Sequence, residues 1–192
     1  MAPTPDPGPF WRVFPWNPEA RPGAPFSSRH VPRIQGSGRF DLPGGCLYLA
    51  ETGDHPVAEK IQRYRGRSIG PQHLIEFGHP LALVEVSLAS RVRARVADLC
   101  DPEVLQRHGI QPDRTAARGI RTTQAIARSL HETGASGLRW WSAFFGEWHT
   151  LVLFADRFSA SDLSLGLPTA LDLQSPVLVQ AAAAIGVRIR GE

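Results

Sequence analysis

Residues 38–65 read GRFDLPGGCLYLAETGDHPVAEKIQRYR, and this stretch decides the fold prediction. Its apolar run Cys46 to Ala50 lies between two glycine-containing turns, which predicts a short buried strand. Asp54 is a good helix N-cap and Pro56 suits the first turn, so a helix is predicted over 56–65, ending at Gly66. A strand followed directly by a helix is therefore expected here.

The predicted helix has one apolar stripe, formed by Val57, Ile61 and Tyr64 at positions i, i+4 and i+7. Glu59 falls nearly opposite this stripe. Periodicity alone therefore predicts that Glu59 is solvated and pairs with Arg63 four residues later. Arg39, Tyr48 and Glu59 would stand at the junctions of the predicted elements.

The rest of the chain adds short strands and short helices in no regular alternation, which indicates an α+β fold of six to eight strands and three or four helices. Residues 1–9 are rich in proline and are expected to be a loose tail, with a single domain over 10–192. A first strand carries Arg12, and the long loop 17–37 carries His30 and Arg33, which either reach a ligand or are exposed loop residues. Further strands are predicted at 81–89, 90–100, 137–142 and 149–154, and helices at 102–108, from Thr122 or Thr123 to 133, and from Pro176.

Composition excludes several classes of protein. The 192 residues are 42% hydrophobic and 20% charged, enough for a core and too apolar for disorder. The net charge of +3 is too weak to predict direct nucleic-acid binding. The N-terminus lacks a signal sequence and the chain lacks an apolar run long enough for a membrane span, so a cytoplasmic protein with reduced thiols is expected.

The sequence lacks the motifs of metal enzymes, of serine hydrolases and of the P-loop and Rossmann nucleotide-binding folds. The histidines and cysteines show no metal-ligand spacing, so no metal is expected, and no serine has the G-x-S-x-G context. What remains is a set of Arg, Tyr, Glu and Ser side chains. Such a set suits cleavage of the nicotinamide–ribose bond of NAD+, because a carboxylate stabilises an oxocarbenium-like transition state and Arg binds pyrophosphate. Composition alone does not single out this chemistry.

The order and spacing of three motifs resemble the RES domain, the toxin half of bacterial Xre–RES toxin–antitoxin pairs. The first two motifs are Gly38-Arg39-Phe40 and the segment from Leu47-Tyr48 to Ala58-Glu59. The third runs from Thr122 through Gly137-Leu-Arg-Trp-Trp-Ser142 to the apolar strand ending at Phe154. The resemblance covers about Trp11 to Phe154.

The resemblance implies a split β-core like that of ADP-ribosyltransferases, with short helices around an NAD cleft, and NAD+ as substrate without a prosthetic cofactor. Arg39 would bind phosphate or ribose, and Tyr48 would stack on or orient nicotinamide. Glu59 would be the catalytic carboxylate, and Ser142 would hydrogen-bond the nicotinamide side. Arg12 is a further expected substrate-binding residue.

This sequence also departs from the family pattern. Trp141 stands where the family often has proline before the serine, and the segment Glu147-Trp148-His149 replaces a place that often carries Asn. Glu51, three residues after Tyr48, is a rival carboxylate. The reaction therefore remains open between hydrolysis, phosphorolysis and ADP-ribosyl transfer, with a non-catalytic NAD-binding module as a further alternative.

The resemblance also implies a partner. An Xre-type antitoxin is expected to neutralise the toxin by covering its cleft, and a homodimer within that complex is expected. Neither a membrane nor direct nucleic-acid binding is expected.

Overall fold

The computed structural model of the chain describes residues 8–33, 36–117, 119–142 and 145–190. These residues contain eleven strands, six α-helices and three short 3-10 helices, so the predicted α+β class is confirmed with more elements than expected. The strands are β1 Phe10–Pro15, β2 Cys46–Ala50, β3 Ser68–Ile69, β4 Ile75–Glu76, β5 His79–Leu88, β6 Val96–Asp98, β7 Gly137–Trp141, β8 His149–Phe154, β9 Leu163–Leu165, β10 Thr169–Ala170 and β11 Arg188–Ile189. The helices are α1 Asp54–Ile61, α2 Ser90–Arg93, α3 Pro102–Arg107, α4 Pro112–Thr115, α5 Ile120–Glu132 and α6 Pro176–Ile185. The 3-10 helices are Gln62–Tyr64, Pro71–Leu74 and Ala160–Asp162.

The chain forms two compact units. The first comprises residues 8–30, 49–87 and 165–190 of the described chain. Its sheet has the order β10-β5-β1-β2, and β4 forms a hairpin with β5. Strand β1 runs antiparallel to β5 from Phe10↔Val86 to Pro15↔Leu81. Helix α1 packs on α6 and β1, and β11 pairs in parallel with β3.

The second unit comprises the described residues of 31–48 and 88–164. Its strand order is β2-β8-β7-β6. Strands β7 and β8, both predicted, pair in antiparallel fashion, whereas β6 runs parallel to β7. Helix α5 packs on β7, and the core includes Phe40, Leu130, Leu138, Val152 and Phe154.

Three local predictions are wrong. Helix α1 begins at Asp54 with Gly53 at the cap position, so Asp54 lies in the first turn, where its charge favours the helix dipole. Helix α5 begins at Ile120, before the threonines predicted to cap it, and the Thr123 hydroxyl instead bonds the carbonyls of Ile120 and Arg39. Residues 90–100 form a helical turn and only a three-residue strand.

The predicted tail over residues 1–9 falls mostly on residues 1–7, which lie outside the described residues. The assignment of 10–192 to a single domain stays a prediction. Within the described part of the chain, no helix combines the length and the hydropathy that crossing a membrane requires.

Candidate functional site

Residues 38–41 form a tight turn that fixes the position of Tyr48. The Tyr48 hydroxyl donates to Asp41 Oδ1 at 2.8 Å and accepts from the Phe40 amide at 3.2 Å. The Gly38 amide donates to Asp41 Oδ2 at 2.7 Å. A Cβ atom at position 38 would lie 2.5 Å from the Tyr48 hydroxyl oxygen, so only glycine fits there. The turn therefore joins the first motif to β2.

Arg39 projects from this turn and is held by contacts from three helices and strands. Its Nη2 donates to the Thr115 carbonyl at 2.9 Å, and its guanidinium carbon lies 5.9 Å from the Trp140 ring centroid. The Thr123 hydroxyl donates to its backbone carbonyl. The buried Nε has no hydrogen-bond partner among the described residues. A guanidinium held in this way suits an anionic ligand, because phosphate and carboxylate oxygens accept bidentately from arginine donors.

Tyr48 is kept in its neutral phenol form. Burial raises the pKa of Tyr48 far above its ordinary value, and the hydrogen bond to Asp41 raises it further. The side chain is half-buried and its hydroxyl is engaged on both sides, so the ring has a fixed orientation. Such a ring can pack against an aromatic ligand at low entropic cost.

Glu59 lies in the first unit on the outer face of α1, with its side chain 42% exposed. Its Oε1 lies 3.3 Å from Nε2 of His55, one turn earlier, and the His55 side chain is 1% exposed. Glu59 therefore contacts His55, four residues earlier, in place of the expected Arg63, four residues later. Glu59 also borders a cavity of about 420 Å³, lined as well by Lys60, Gln62, Arg63 and Glu76.

The cavity wall contains a second ion pair. Lys60 Nζ lies 2.7 Å from Glu76 Oε2, which joins α1 to β4. This pair balances two of the charges in the wall, which leaves Glu59 and Arg63 as its other charged residues.

Arg12 is engaged with the loop that follows β1. Its Nη1 donates to the carbonyls of His30 at 2.7 Å and Ser28 at 3.3 Å, and its guanidinium carbon lies 5.3 Å from the Phe14 ring centroid. Burial lowers the pKa of Arg12 to about 10, which leaves it protonated at neutral pH. These contacts fix the loop to the sheet.

Ser142 follows β7 directly and is half-buried. Its backbone amide donates to the Trp148 carbonyl at 2.6 Å, which closes the β7–β8 connection. Trp140 and Trp141 meet edge to face at 5.0 Å, and Trp148 meets Phe145 at 4.9 Å. Trp140 is a core residue, and its ring packs against the Arg39 guanidinium.

The five predicted site residues fall in both units. Arg39 and Tyr48 are brought together in the second unit, which also holds Ser142, and Arg12 and Glu59 belong to the first. The structure adds two residues that the sequence analysis missed, Asp41 beneath Tyr48 and His55 beside Glu59. Both stand at short-range spacings, i+3 from Gly38 and i−4 from Glu59, which were visible in the sequence.

Among the described residues, no group of three or more His, Cys, Asp or Glu side chains is arranged to hold a metal ion. Cys46 and Cys100 are not joined in a disulfide. Burial raises the pKa of the Cys46 thiol to about 11, as the buried position in β2 predicts.

Comparison with known proteins connects this geometry to a family. The fold is similar to that of a chain in the crystal structure of the M. tuberculosis MbcT–MbcA toxin–antitoxin complex. The TM-score is 0.55 at 18% sequence identity, over 85% of this chain and 84% of that chain. The curated proteins include no match to this sequence. The sequence matches the RES domain over residues 9–172, most of its length, and the chain therefore belongs to the RES-domain family.

Proposed function

We propose that this chain is the toxin of a toxin–antitoxin pair and that it consumes NAD+ by cleaving the nicotinamide–ribose bond. Membership of the RES-domain family and the similarity of fold to a chain of a toxin–antitoxin complex support the proposal. The observation that carries it is the Arg39–Tyr48 cluster. It holds the Arg39 guanidinium on the turn 38–41 and, on β2, a neutral phenol whose hydroxyl is hydrogen-bonded to the same turn.

The proposed reaction is a substitution at the anomeric carbon of the nicotinamide ribose. The carbon–nitrogen bond breaks, and its electron pair leaves with nicotinamide, which becomes a neutral base. A water or phosphate oxygen forms the new bond, giving ADP-ribose or its 1-phosphate. With water as the nucleophile, one proton is released to solvent. The ring nitrogen needs no acid, so the protein's task is to stabilise positive charge on the ribose.

The side chains are suited to separate parts of this task. The Arg39 guanidinium would bind pyrophosphate or ribose through donors that the Thr115 carbonyl does not use. The Tyr48 ring would orient nicotinamide, and the Ser142 hydroxyl would hydrogen-bond its amide. The Glu59 carboxylate would stabilise the oxocarbenium-like ribose and orient the nucleophile. Arg12 would act at the substrate through the donors that the loop carbonyls do not use, or by holding the loop.

The test is nicotinamide release from NAD+ by the purified chain, measured chromatographically in buffers with and without phosphate. We expect Glu59→Gln to lower release by about 10²-fold or more, the usual effect of removing one electrostatic stabiliser. The matched control is Glu103→Gln, the same substitution at an exposed helical position. Glu51→Gln tests the rival carboxylate, and it should leave nicotinamide release unchanged if Glu59 is the catalytic residue.

The outcomes separate the candidate reactions. Release only with phosphate indicates phosphorolysis, and release in both buffers indicates hydrolysis. Radiolabel from NAD+ appearing on a macromolecule would indicate ADP-ribosyl transfer instead. If wild type releases no nicotinamide in either buffer, NAD+ degradation is refuted, and NAD+ binding without turnover would leave a binding module.

The partner and location follow from the same proposal. An Xre-type antitoxin would neutralise the toxin in the cytoplasm, and a homodimer within that complex stays a prediction. In cells, the wild-type chain alone should stop growth and deplete NAD+. Co-expression of the protein encoded by the neighbouring reading frame should restore both. A Glu59→Gln chain should be harmless without it.

A further inference from the structure

The side chains of two adjacent residues on α5 hold the backbone of the turn that carries Arg39. The Thr123 hydroxyl donates to the Arg39 carbonyl. The Gln124 side-chain amide donates from Nε2 to the Gly38 carbonyl at 3.0 Å and to the Gly36 carbonyl at 3.3 Å. Three carbonyls within four residues therefore accept hydrogen bonds from one turn of a helix more than eighty residues further along the chain.

The position of Thr123 makes its hydrogen bond to the turn difficult to replace. The residue is fully buried, so water does not substitute readily for its hydroxyl group. Gln124 is half-buried, and its side-chain amide carries two hydrogens, which match the two carbonyls that it contacts. A turn whose carbonyls pair with side chains depends on those side chains for its conformation.

The Arg39 side chain is held by a neighbouring helix of the same unit. Its Nη2 donates to the carbonyl of Thr115, the last residue of α4, at 2.9 Å. Helix α4 packs on α5. The backbone of Arg39 is therefore attached to α5 and its side chain to α4, so two packed helices determine the direction in which the guanidinium points.

We propose that Thr123 and Gln124 are positioning residues that set the orientation of Arg39 toward NAD+. The inference rests on the proposed function, in which Arg39 binds the pyrophosphate or ribose of that substrate. A guanidinium makes two parallel hydrogen bonds to a phosphate only when its planar fork is correctly placed, so a small displacement of the turn weakens binding. Neither residue has to touch the substrate. This role accounts for the threonine–glutamine pair near the start of the third motif.

The first test measures the turn itself and does not depend on NAD+. Hydrogen exchange followed by mass spectrometry reports the amides of residues 38–41 in the full chain. Gln124→Glu keeps the shape of the side chain but cannot donate at neutral pH, and Thr123→Val removes only the hydroxyl. Each variant should speed exchange at these amides by about 10-fold, because the turn opens more often. Two matched controls should exchange like wild type: Gln106→Glu, at an exposed position of α3, and Thr133→Val, whose hydroxyl bonds a carbonyl of its own helix.

The second test measures KM and kcat for nicotinamide release. Weaker binding through Arg39 affects the substrate and the transition state alike, so Gln124→Glu should raise KM by about 10-fold and leave kcat within about 2-fold. A variant that only lowered the folded fraction would lower kcat and leave KM unchanged. In an Arg39→Gln background, Gln124→Glu should raise KM no further, because the two residues act through one contact. Thr123→Ser retains the hydroxyl and should keep the KM of wild type.

The outcomes separate this inference from the proposed function. Equal exchange rates in wild type and both variants, or a lower kcat at unchanged KM, would overturn the role of Thr123 and Gln124. The same rise in KM with and without the Arg39 side chain would overturn it as well, because the two residues would then not act through Arg39. If wild type releases no nicotinamide while the variants still loosen the turn, NAD+ cleavage is refuted and the support of this turn by α5 stands.

Discussion

His55, which contacts Glu59, and Asp41, which contacts Tyr48, show what sequence spacing alone can and cannot predict. Glu59 has His55 four residues before it and Arg63 four residues after it, and helical periodicity treats both as neighbours. The choice depends on which side chain is buried. His55 is fully buried and meets Glu59, a result of the packing of α1 on other elements that no local pattern contains.

Asp41 is the corresponding case beneath Tyr48. Its carboxylate accepts the backbone amide of Gly38, three residues earlier, which is a local contact within the turn. That the same carboxylate also accepts the Tyr48 hydroxyl requires β2 to return alongside the turn. The family resemblance predicted Arg39 and Tyr48 as site residues, whereas only the structure shows the contact between Asp41 and Tyr48.

Tyr48 should make stability depend on alkaline pH. Its pKa is raised in the folded chain, so the unfolded state loses the phenolic proton first, near pH 10, and stability falls as the pH rises above that value. Between pH 9 and 11 this contribution is on the order of 1 kcal/mol. Urea unfolding should therefore show a flatter pH dependence for Tyr48→Phe than for wild type. Parallel curves for the two proteins would contradict the assignment.

At the scale of elements, proline and glycine were the most reliable signals for where helices begin and end. The starts of α3 and α6 at Pro102 and Pro176, and the turn at Gly66, were predicted from these residues and are present. The starts of α1 and α5 were misplaced because Asp and Thr also serve first turns and tertiary hydrogen bonds. Side chains with several uses are weaker boundary signals than residues that restrict the backbone.

Gly137 should be intolerant of any side chain. A Cβ atom there would lie 2.1 Å from the Val152 carbonyl oxygen on β8, within the β7–β8 pair. Gly137→Ala should therefore destabilise the chain by about 1–3 kcal/mol or more, through overpacking. Gly146→Ala is the matched control, because a Cβ there meets nothing within 4 Å, and it should change stability by less than about 0.5 kcal/mol. Thermal denaturation compares the two, and equal melting temperatures would refute the prediction.

Asp162 should stabilise the Ala160–Asp162 turn in a pH-dependent way. It accepts from the Ser159 amide and hydroxyl and from Arg91, and these bonds lower the pKa of its carboxyl group. A lowered folded-state pKa gives stability that is present above about pH 4 and lost as the pH falls through the folded value.

The variant Asp162→Asn should therefore be less stable than wild type at pH 7, and the difference should shrink at pH 3. Urea titrations at the two pH values measure it, with the exposed Asp113→Asn as control. A difference that is the same at both pH values would show that the charge of Asp162 is irrelevant.

At the scale of the whole molecule, the sequence predicted the class of fold but not its pairings. Strand β6 runs parallel to β7 across some forty residues of intervening helices, and the short β11 finds β3 from the far end of the chain. Two- and three-residue strands carry no periodicity, and their partners depend on the whole chain.

The Lys60–Glu76 ion pair has a practical consequence, because Lys60 is the single lysine of the sequence. Any reagent or enzyme that acts on lysine side chains meets this chain at one place, in the wall of the cavity beside Glu59. A dye or an affinity tag attached to that amine would report on the neighbourhood of the proposed carboxylate without a cysteine having to be engineered. For the same reason, any modification of a lysine side chain in this sequence, such as acylation, would fall on Lys60.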